Sequence, residues 1–325
     1  LSTPSAGTSN TRIGVNAGNS IASGGNFNVV VGDEAGTAIT TGDQNVAVGY
    51  QALDALDTAI RNVAVGTTAL TSDTKGDASV AVGHGALFAQ NFTTTTSVYN
   101  TAVGYHAGVS VTTGTNNTFL GGQAGDGSTG GSNNVAVGYN TLSANADTNF
   151  NVAIGSNAMV AQNEAGRNVA VGYNALTADT KGGRNVAVGF GTLQTSNQTT
   201  VTTAYNVAVG YDAGNDITTG TLNTLIGALT GDALTSGNSN TAVGQFALTT
   251  DTLGDTSTAI GIYTLKNQNF TTSTDAYNTA VGSFAGENVT TGIQNTLVGG
   301  LAGDALTDAD YNTGLGYLAL SSDTL

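Results

Sequence analysis

The phrase Asn-(Val/Thr)-Ala-Val-Gly returns along the whole chain at a near-constant interval, and no other feature limits the fold as strongly. Aligned on its glycine, the phrase falls at Gly14, Gly32, Gly49, Gly66, Gly83, Gly104, Gly121, Gly138, Gly155, Gly172, Gly189, Gly210, Gly227, Gly244, Gly261, Gly282, Gly299 and Gly316. Thirteen of the seventeen intervals are 17 residues; one is 18 (Gly14 to Gly32), and three are 21 (Gly83 to Gly104, Gly189 to Gly210, Gly261 to Gly282). A unit this short cannot bury its own apolar side, so copies must stack on one another. The sequence therefore predicts an all-β parallel β-solenoid, or β-roll, of about eighteen 17-residue coils, forming a single repeat domain over 1–325.

Counting from the repeat glycine, position −4 is Asn in sixteen coils and Ser in two, Ser79 and Ser257. Position −3 is always Val or Thr, −1 always Val, Ile or Leu, and −2 is Ala in twelve coils. Position +3 is Ala in fourteen coils and Thr in four. Residues −3 and −1 share one face of a strand and −2 the other, which is a period of two and not 3.6. The pattern predicts a strand of about five residues, a bend at the glycine, and a second short strand carrying the Ala. Stacking at about 4.8 Å per coil would superpose like residues. On this reading Val48, Val65, Val137, Val171, Val188 and Val209 are interior ladders, the asparagines line the bends, and the small Ala positions are surfaces where several chains pack closely.

A slower order overlies the first. Position +4 is Gly in Gly18, Gly36, Gly108, Gly125, Gly214, Gly231, Gly286 and Gly303, and Leu or Met elsewhere. The second coil of each Gly pair replaces Ala at −2 by Val30, Phe119, Leu225 or Leu297. Lost bulk at +4 is matched by added bulk at −2, as volume conservation in a packed interior demands. Phe119, Leu225 and Leu297 are thus assigned to the core. Leu1 and Leu325 both fall in mid-coil, so the ends read as continued by, or cut from, more of the same repeat; uncapped coils expose strand edges that favour end-to-end stacking.

Stretches such as Asn168-Val-Ala-Val-Gly-Tyr-Asn-Ala-Leu176 and Asn100-Thr-Ala-Val-Gly-Tyr-His-Ala-Gly108 resemble the repeats of phage tail fibres. They are also similar to the head repeats of trimeric autotransporter adhesins, and the likeness covers nearly all of the chain. That resemblance implies a left-handed, homotrimeric β-roll on a virion fibre or cell surface, outside the cell. The adhesin head coil is shorter than the interval here, and within these 325 residues no coiled-coil stalk, membrane anchor or chaperone domain is expected beside the repeats.

Composition excludes several functions. Seven Lys+Arg against 22 Asp+Glu give a net charge of −15, which leaves attraction to nucleic acid or anionic lipid without an electrostatic footing. No apolar run is long enough for membrane insertion. With no Cys there is no disulfide or thiolate chemistry, and His84 and His106 lack a third metal-ligating partner. Asp73, Asp179, Asp251 and Asp323 recur at one offset, as turn-forming residues do and catalytic ones do not. Asp308 and Asp310 are a minor candidate for Ca²⁺, and neither a cofactor nor an enzymatic activity is expected. Tyrosines after the repeat glycine, such as Tyr50, Tyr105 and Tyr173, either stack on receptor sugars or cover neighbouring coils.

The best candidates for recognition are the insertions at 88–99, 194–205 and 266–277, where solenoids place binding loops. There Phe92, Tyr99, Tyr205, Phe270 and Tyr277 are candidates for contact with a host glycan or protein receptor; the alternative is a strap at a subunit boundary. The expected function is a structural fibre or adhesin segment, with an end-to-end stacking filament, or a glycan- or ice-binding solenoid, as the other readings. Threonines cluster at the junctions, as at Thr93 to Thr96, which does not fit the continuous array that ice binding needs.

Overall fold

A computed structural model describes residues 7–322; Leu1, Asp323 and Leu325, on which the reading of the chain ends rests, lie outside them. The chain divides into two compact units, Leu1–Glu164 and Ala165–Leu325. Each carries nine of the repeat glycines, and among the described residues there is no helix.

In the first unit, strands Thr11–Ile13, Val29–Val31, Val46–Val48 and Val63–Val65 are followed by Val80–Val82, Thr101–Val103, Thr118–Leu120, Val135–Val137 and Val152–Ile154. Each pairs with the next in parallel, like residue on like residue: Val46 on Val63, Ala47 on Ala64, Val48 on Val65. The second unit repeats the arrangement from Val169–Val171 to Thr313–Leu315, for example Val186 on Val207 and Ala187 on Ala208. The parallel β-solenoid and its register are therefore as the period predicts. The strand is three residues long and not five, and the Ala at +3 sits in a turn and not in a second strand.

That turn has an unusual backbone. Residues +2 and +4 are left-handed whether or not they are glycine: Gln51 and Leu53 have φ of 53° and 51°, Asn174 and Leu176 of 55° and 53°. A left-handed non-glycine residue costs roughly 1–2 kcal/mol, and hydrogen bonds to both neighbouring coils offset it. Gln51 N–H donates to the Asp33 carbonyl of the coil before, and Leu53 N–H to the Ala69 carbonyl of the coil after, both at 3.1 Å. The repeat glycine itself is obligatory, because Gly49 has φ 133° and a Cβ there would stand 2.6 Å from the Gly66 carbonyl oxygen.

The interior face of the strand is the opposite of the one that hydrophobicity selects. Ala47, Ala64, Ala136 and Ala187 at −2 are fully buried, whereas Val48, Val65, Val137, Val171, Val188 and Val209 are half-buried on the outward face. The physical reason lies at −4, which shares a face with −2. There the Asn amide turns inward: Asn62 N–H donates to Asn45 Oδ1 (2.9 Å), and Asn45 Nδ2 to the Ala59 carbonyl (2.9 Å). The lumen beside this ladder is narrow, and Leu53, Leu70 and Leu87 fill it from the facing turn, all fully buried. Only Ala fits opposite them. The Ala columns are thus the inside of one chain and not a surface between chains.

Where +4 is Gly the filler comes from elsewhere. Because Leu and Gly take the same φ at +4, glycine there marks missing volume and not a backbone need. Phe119 and Leu225 are fully buried and Leu297 nearly so. A Cβ on Gly125 would stand 2.5 Å from the Phe119 ring, and one on Gly231 would stand 2.9 Å from Leu225 Cδ2. The same Gly231 Cβ would lie 2.9 Å from Leu234 Cδ1, and one on Gly36 would lie 2.8 Å from Ile39 Cδ1. Position +7 is therefore a second filler, which the sequence reading missed. It is apolar in most Gly coils (Ile39, Ile217, Leu234, Val289, Leu306) and polar in most Leu coils (Asp73, Gln90, Asn145, Ser196, Gln268). Ser128 and Leu56 are the exceptions.

Candidate functional site

The three 21-residue intervals each carry four residues beyond the usual 17, and the three are built alike. Each leaves the coil after Leu87, Leu193 or Leu265 and lays a two-residue strand on the preceding coil. Thr96–Ser97 pairs with Gly76–Asp77, Thr202–Thr203 with Gly182–Gly183, and Thr274–Asp275 with Gly254–Asp255, all in parallel. The insertions therefore lie down along the solenoid over part of their length.

Two of the predicted contact residues are not on the surface. Phe92 and Phe270 are 9% and 5% exposed, and Gln198 takes the same place in the middle insertion. Val98, Ala204 and Ala276 bury the far end of each insertion. Phe92 and Phe270 are thus anchors, held inside because a phenyl ring gains more from burial than the polar loop around it loses. Tyr99, Tyr205 and Tyr277 are 59%, 49% and 56% exposed and remain available for contact. Between anchor and tyrosine the exposed stretch is Thr93 to Thr95, Thr199 to Val201, and Thr271 to Ser273.

Beneath each anchor sits the recurring aspartate, fully buried. Asp73 Oδ1 accepts from Gly76 N–H (3.0 Å) and Phe92 N–H (3.1 Å), and Asp251 Oδ1 from Gly254 and Phe270 N–H (3.0 and 3.2 Å). The bonds from Gly76 and Gly254, three residues on, are the turn contacts expected of Asp at such a position, whereas those from Phe92 and Phe270 reach in from the following coil. Burial holds the carboxyls of Asp73 and Asp179 above the usual carboxylate range, against the backbone and side-chain donors that lower them. Gln90 Nε2 bridges Asp73 Oδ2 (2.6 Å) and Ser79 Oγ (3.0 Å), while Gln90 Oε1 accepts from Asn100 Nδ2 (2.9 Å). Gln268 does the same between Asp251, Ser257 and Asn278. Where the ladder has Ser for Asn, a glutamine from +7 of the same coil replaces the missing amide.

On the outer surface the +1 and +2 aromatic side chains form short stacks. Tyr173, Phe190 and Tyr211 lie ring over ring at 5.2 and 5.3 Å with interplanar angles of 20° and 11°. Phe246, Tyr263 and Phe284 repeat this at 5.0 and 5.2 Å. In such a stack each ring covers its neighbour on the next coil, although Tyr173, Phe190 and Tyr211 all remain about half exposed. His84 and His106 join Tyr105 in a third stack, with the histidine centroids 5.3 Å apart. The two histidines, with Thr68, Gly85, Phe88 and Val109, line a pocket of about 230 Å³.

Threonines also align more than their sequence clustering suggests. The hydroxyl of Thr112 donates to the Thr129 carbonyl (3.2 Å), that of Thr218 to Thr235 (3.1 Å), and that of Thr235 to Thr252 (3.0 Å). This file spends its donors on the next coil. Among the described residues no group of three or more His, Asp or Glu could hold a metal ion, and Asp310 Oδ1 accepts from Ile293 N–H (2.7 Å). No described helix is long and apolar enough to cross a membrane.

The remaining surface feature is the outward strand face. In each unit nine strands present two side chains apiece, and every one is Val, Thr, Ile or Leu. Leu120, Ile154, Ile226 and Ile260 are 47%, 38%, 40% and 38% exposed on it. Fold and surface together define a parallel β-solenoid repeat protein with short strapped insertions. No family model, curated protein or solved structure matches the chain.

Proposed function

We propose that the chain is a segment of an extracellular fibre or adhesin, on a virion or a cell surface, that works as a homotrimer of left-handed coils. It spans distance and presents its insertions, with Tyr99, Tyr205 and Tyr277, to a host glycan or protein receptor. The role is structural and not enzymatic. The observation that carries the reading is the outward strand face: two uncharged, half-exposed files per coil, on a chain whose net charge is −15. The file at −1 is Val, Ile or Leu in every coil, and a contiguous aliphatic row of that kind marks an interaction site. Copies of the same chain fit it, because files in one register meet files in the same register. The valines then stand between subunits, while each chain keeps its own Ala and Leu core.

Light scattering of the purified chain tests this. The expected mass is three chains, and the Val171→Asp and Val243→Asp variants, each placing a charge on the outward face, should be single chains with unchanged far-ultraviolet dichroism. A wild-type chain that stays single at every concentration would overturn the trimer. Masses that grow without limit would favour an end-to-end filament instead.

A further inference from the structure

Each insertion opens on the same tripeptide frame: Asn91-Phe92-Thr93, Asn197-Gln198-Thr199 and Asn269-Phe270-Thr271. These are Asn-x-Thr acceptors for N-linked sugar, and we propose that Asn91, Asn197 and Asn269 are glycan attachment sites. The frame alone is common in a chain rich in Asn and Thr, so the argument rests on geometry. The middle residue points inward as the buried anchor, which turns Asn and Thr on either side of it outward; all six flanking residues are exposed. The backbone is pinned there by the buried aspartate, through Phe92 N–H on Asp73 and Phe270 N–H on Asp251.

The side chain is also presented by its reactive end. Asn91 Oδ1 accepts from Thr74 Oγ1 (3.2 Å), Asn197 Oδ1 from Thr180 Oγ1 (2.9 Å), and Asn269 Oδ1 from Thr252 Oγ1 (3.0 Å). A threonine of the preceding coil thus fixes the amide oxygen and leaves Nδ2, the atom that takes the sugar, directed away from the bond. The chain has two other such frames, and both are spoiled. Asn116 Nδ2 donates to Thr115 Oγ1 (3.1 Å), and Asn288 Nδ2 to the Asp304 carbonyl (2.7 Å). The buried ladder asparagines never form the frame, because their +2 neighbour is the repeat's interior residue and never Ser or Thr.

The step is transfer from an activated sugar, a nucleotide-diphosphate sugar or lipid-linked glycosyl pyrophosphate. The Nδ2–C1 bond forms, the C1–O bond to the phosphate breaks, the amide proton goes to a base of the transferring enzyme, and the phosphate leaves. A sugar at these sites would stand at the loop surface, where it is bulky and solubilising.

The test treats the full, folded chain with an asparagine glucosyltransferase that reads Asn-x-Thr, using UDP-glucose, and maps the peptides by mass spectrometry. One hexose at each of Asn91, Asn197 and Asn269 is expected, with Asn116 and Asn288 modified only after denaturation. Thr93→Ala, Thr199→Ala and Thr271→Ala should each abolish modification at their own site alone. A folded chain modified at none of the three, or equally at Asn116 and Asn288, would overturn the proposal. Neither result bears on the subunit count, so this inference and the fibre reading fail separately.

Discussion

The first and third insertions solve one packing problem in the same way, and the middle insertion solves it differently. Around Asp73 and Asp251 the ladder residue is Ser and position +7 of that coil is Gln; around Asp179 the ladder residue is Asn185 and position +7 is Ser196. Long and short exchange places. In the first arrangement Gln90 reaches across to Asp73, Ser79 and Asn100. In the second, Asp179 Oδ2 accepts from Asn185 Nδ2 at 3.2 Å and from Ser196 Oγ at 3.4 Å. The anchor follows suit, since Phe92 and Phe270 give way to Gln198, whose buried Nε2 has no partner. A polar interior thus tolerates exchange of residues as long as the number of amides and the filled volume are held together, and the middle junction holds them less well.

Several measurements would break or sharpen that comparison. The largest effect should come from Phe92→Ala, which empties a buried site and should lower stability by about 3–5 kcal/mol in urea unfolding; Gln198→Ala, at the equivalent position, should cost far less. Next comes Gln90→Ala, which leaves Asp73, Ser79 and Asn100 without a shared partner and should cost about 1–3 kcal/mol. Ser196→Ala removes a single long contact and should cost under about 1 kcal/mol. If Gln90→Ala and Ser196→Ala prove equal, the two arrangements are not different solutions. Gln198→Phe should stabilise the middle junction by roughly 1 kcal/mol, seen as slower amide exchange at residues 196–204.

The smallest effect concerns pH. Burial raises the carboxyls of Asp73 and Asp179, so the folded chain holds their protons at a pH where the unfolded chain has released them. Stability from these groups should therefore increase as pH falls through their raised folded values toward the ordinary carboxylate value, and be lost as pH rises again. The melting temperature should be higher near the bottom of that acidic window than at neutrality. Replacing Asp179 by Asn should flatten the profile.

Period and register were legible because stacking demands that each column hold one kind of residue, and a seventeen-residue interval is hard to mistake. The exchange of Gly125 for Phe119 was legible for the same reason, as volume is conserved within a column pair. The choice of strand face was not. In most sheets Val is inside and Ala indifferent, but this lumen is so narrow that an inward Asn ladder and a facing Leu leave room only for Ala, and the valines go outward. The role of Gln90 and Gln268 left a signal, since each accompanies a Ser at −4 of the same coil. Nothing in Phe92 or Phe270 distinguishes an aromatic anchor from an aromatic lure; only burial does.

The asparagine ladder has a direction. In each unit the main-chain N–H of a later coil donates to the side-chain oxygen of the coil before it, as Asn45 does to Asn28 and Asn240 to Asn223. An earlier turn of the spiral thus holds out an acceptor to the turn that follows. A nascent chain emerging amino end first would find each docking point already in place, so that growth of the structure and its synthesis run the same way.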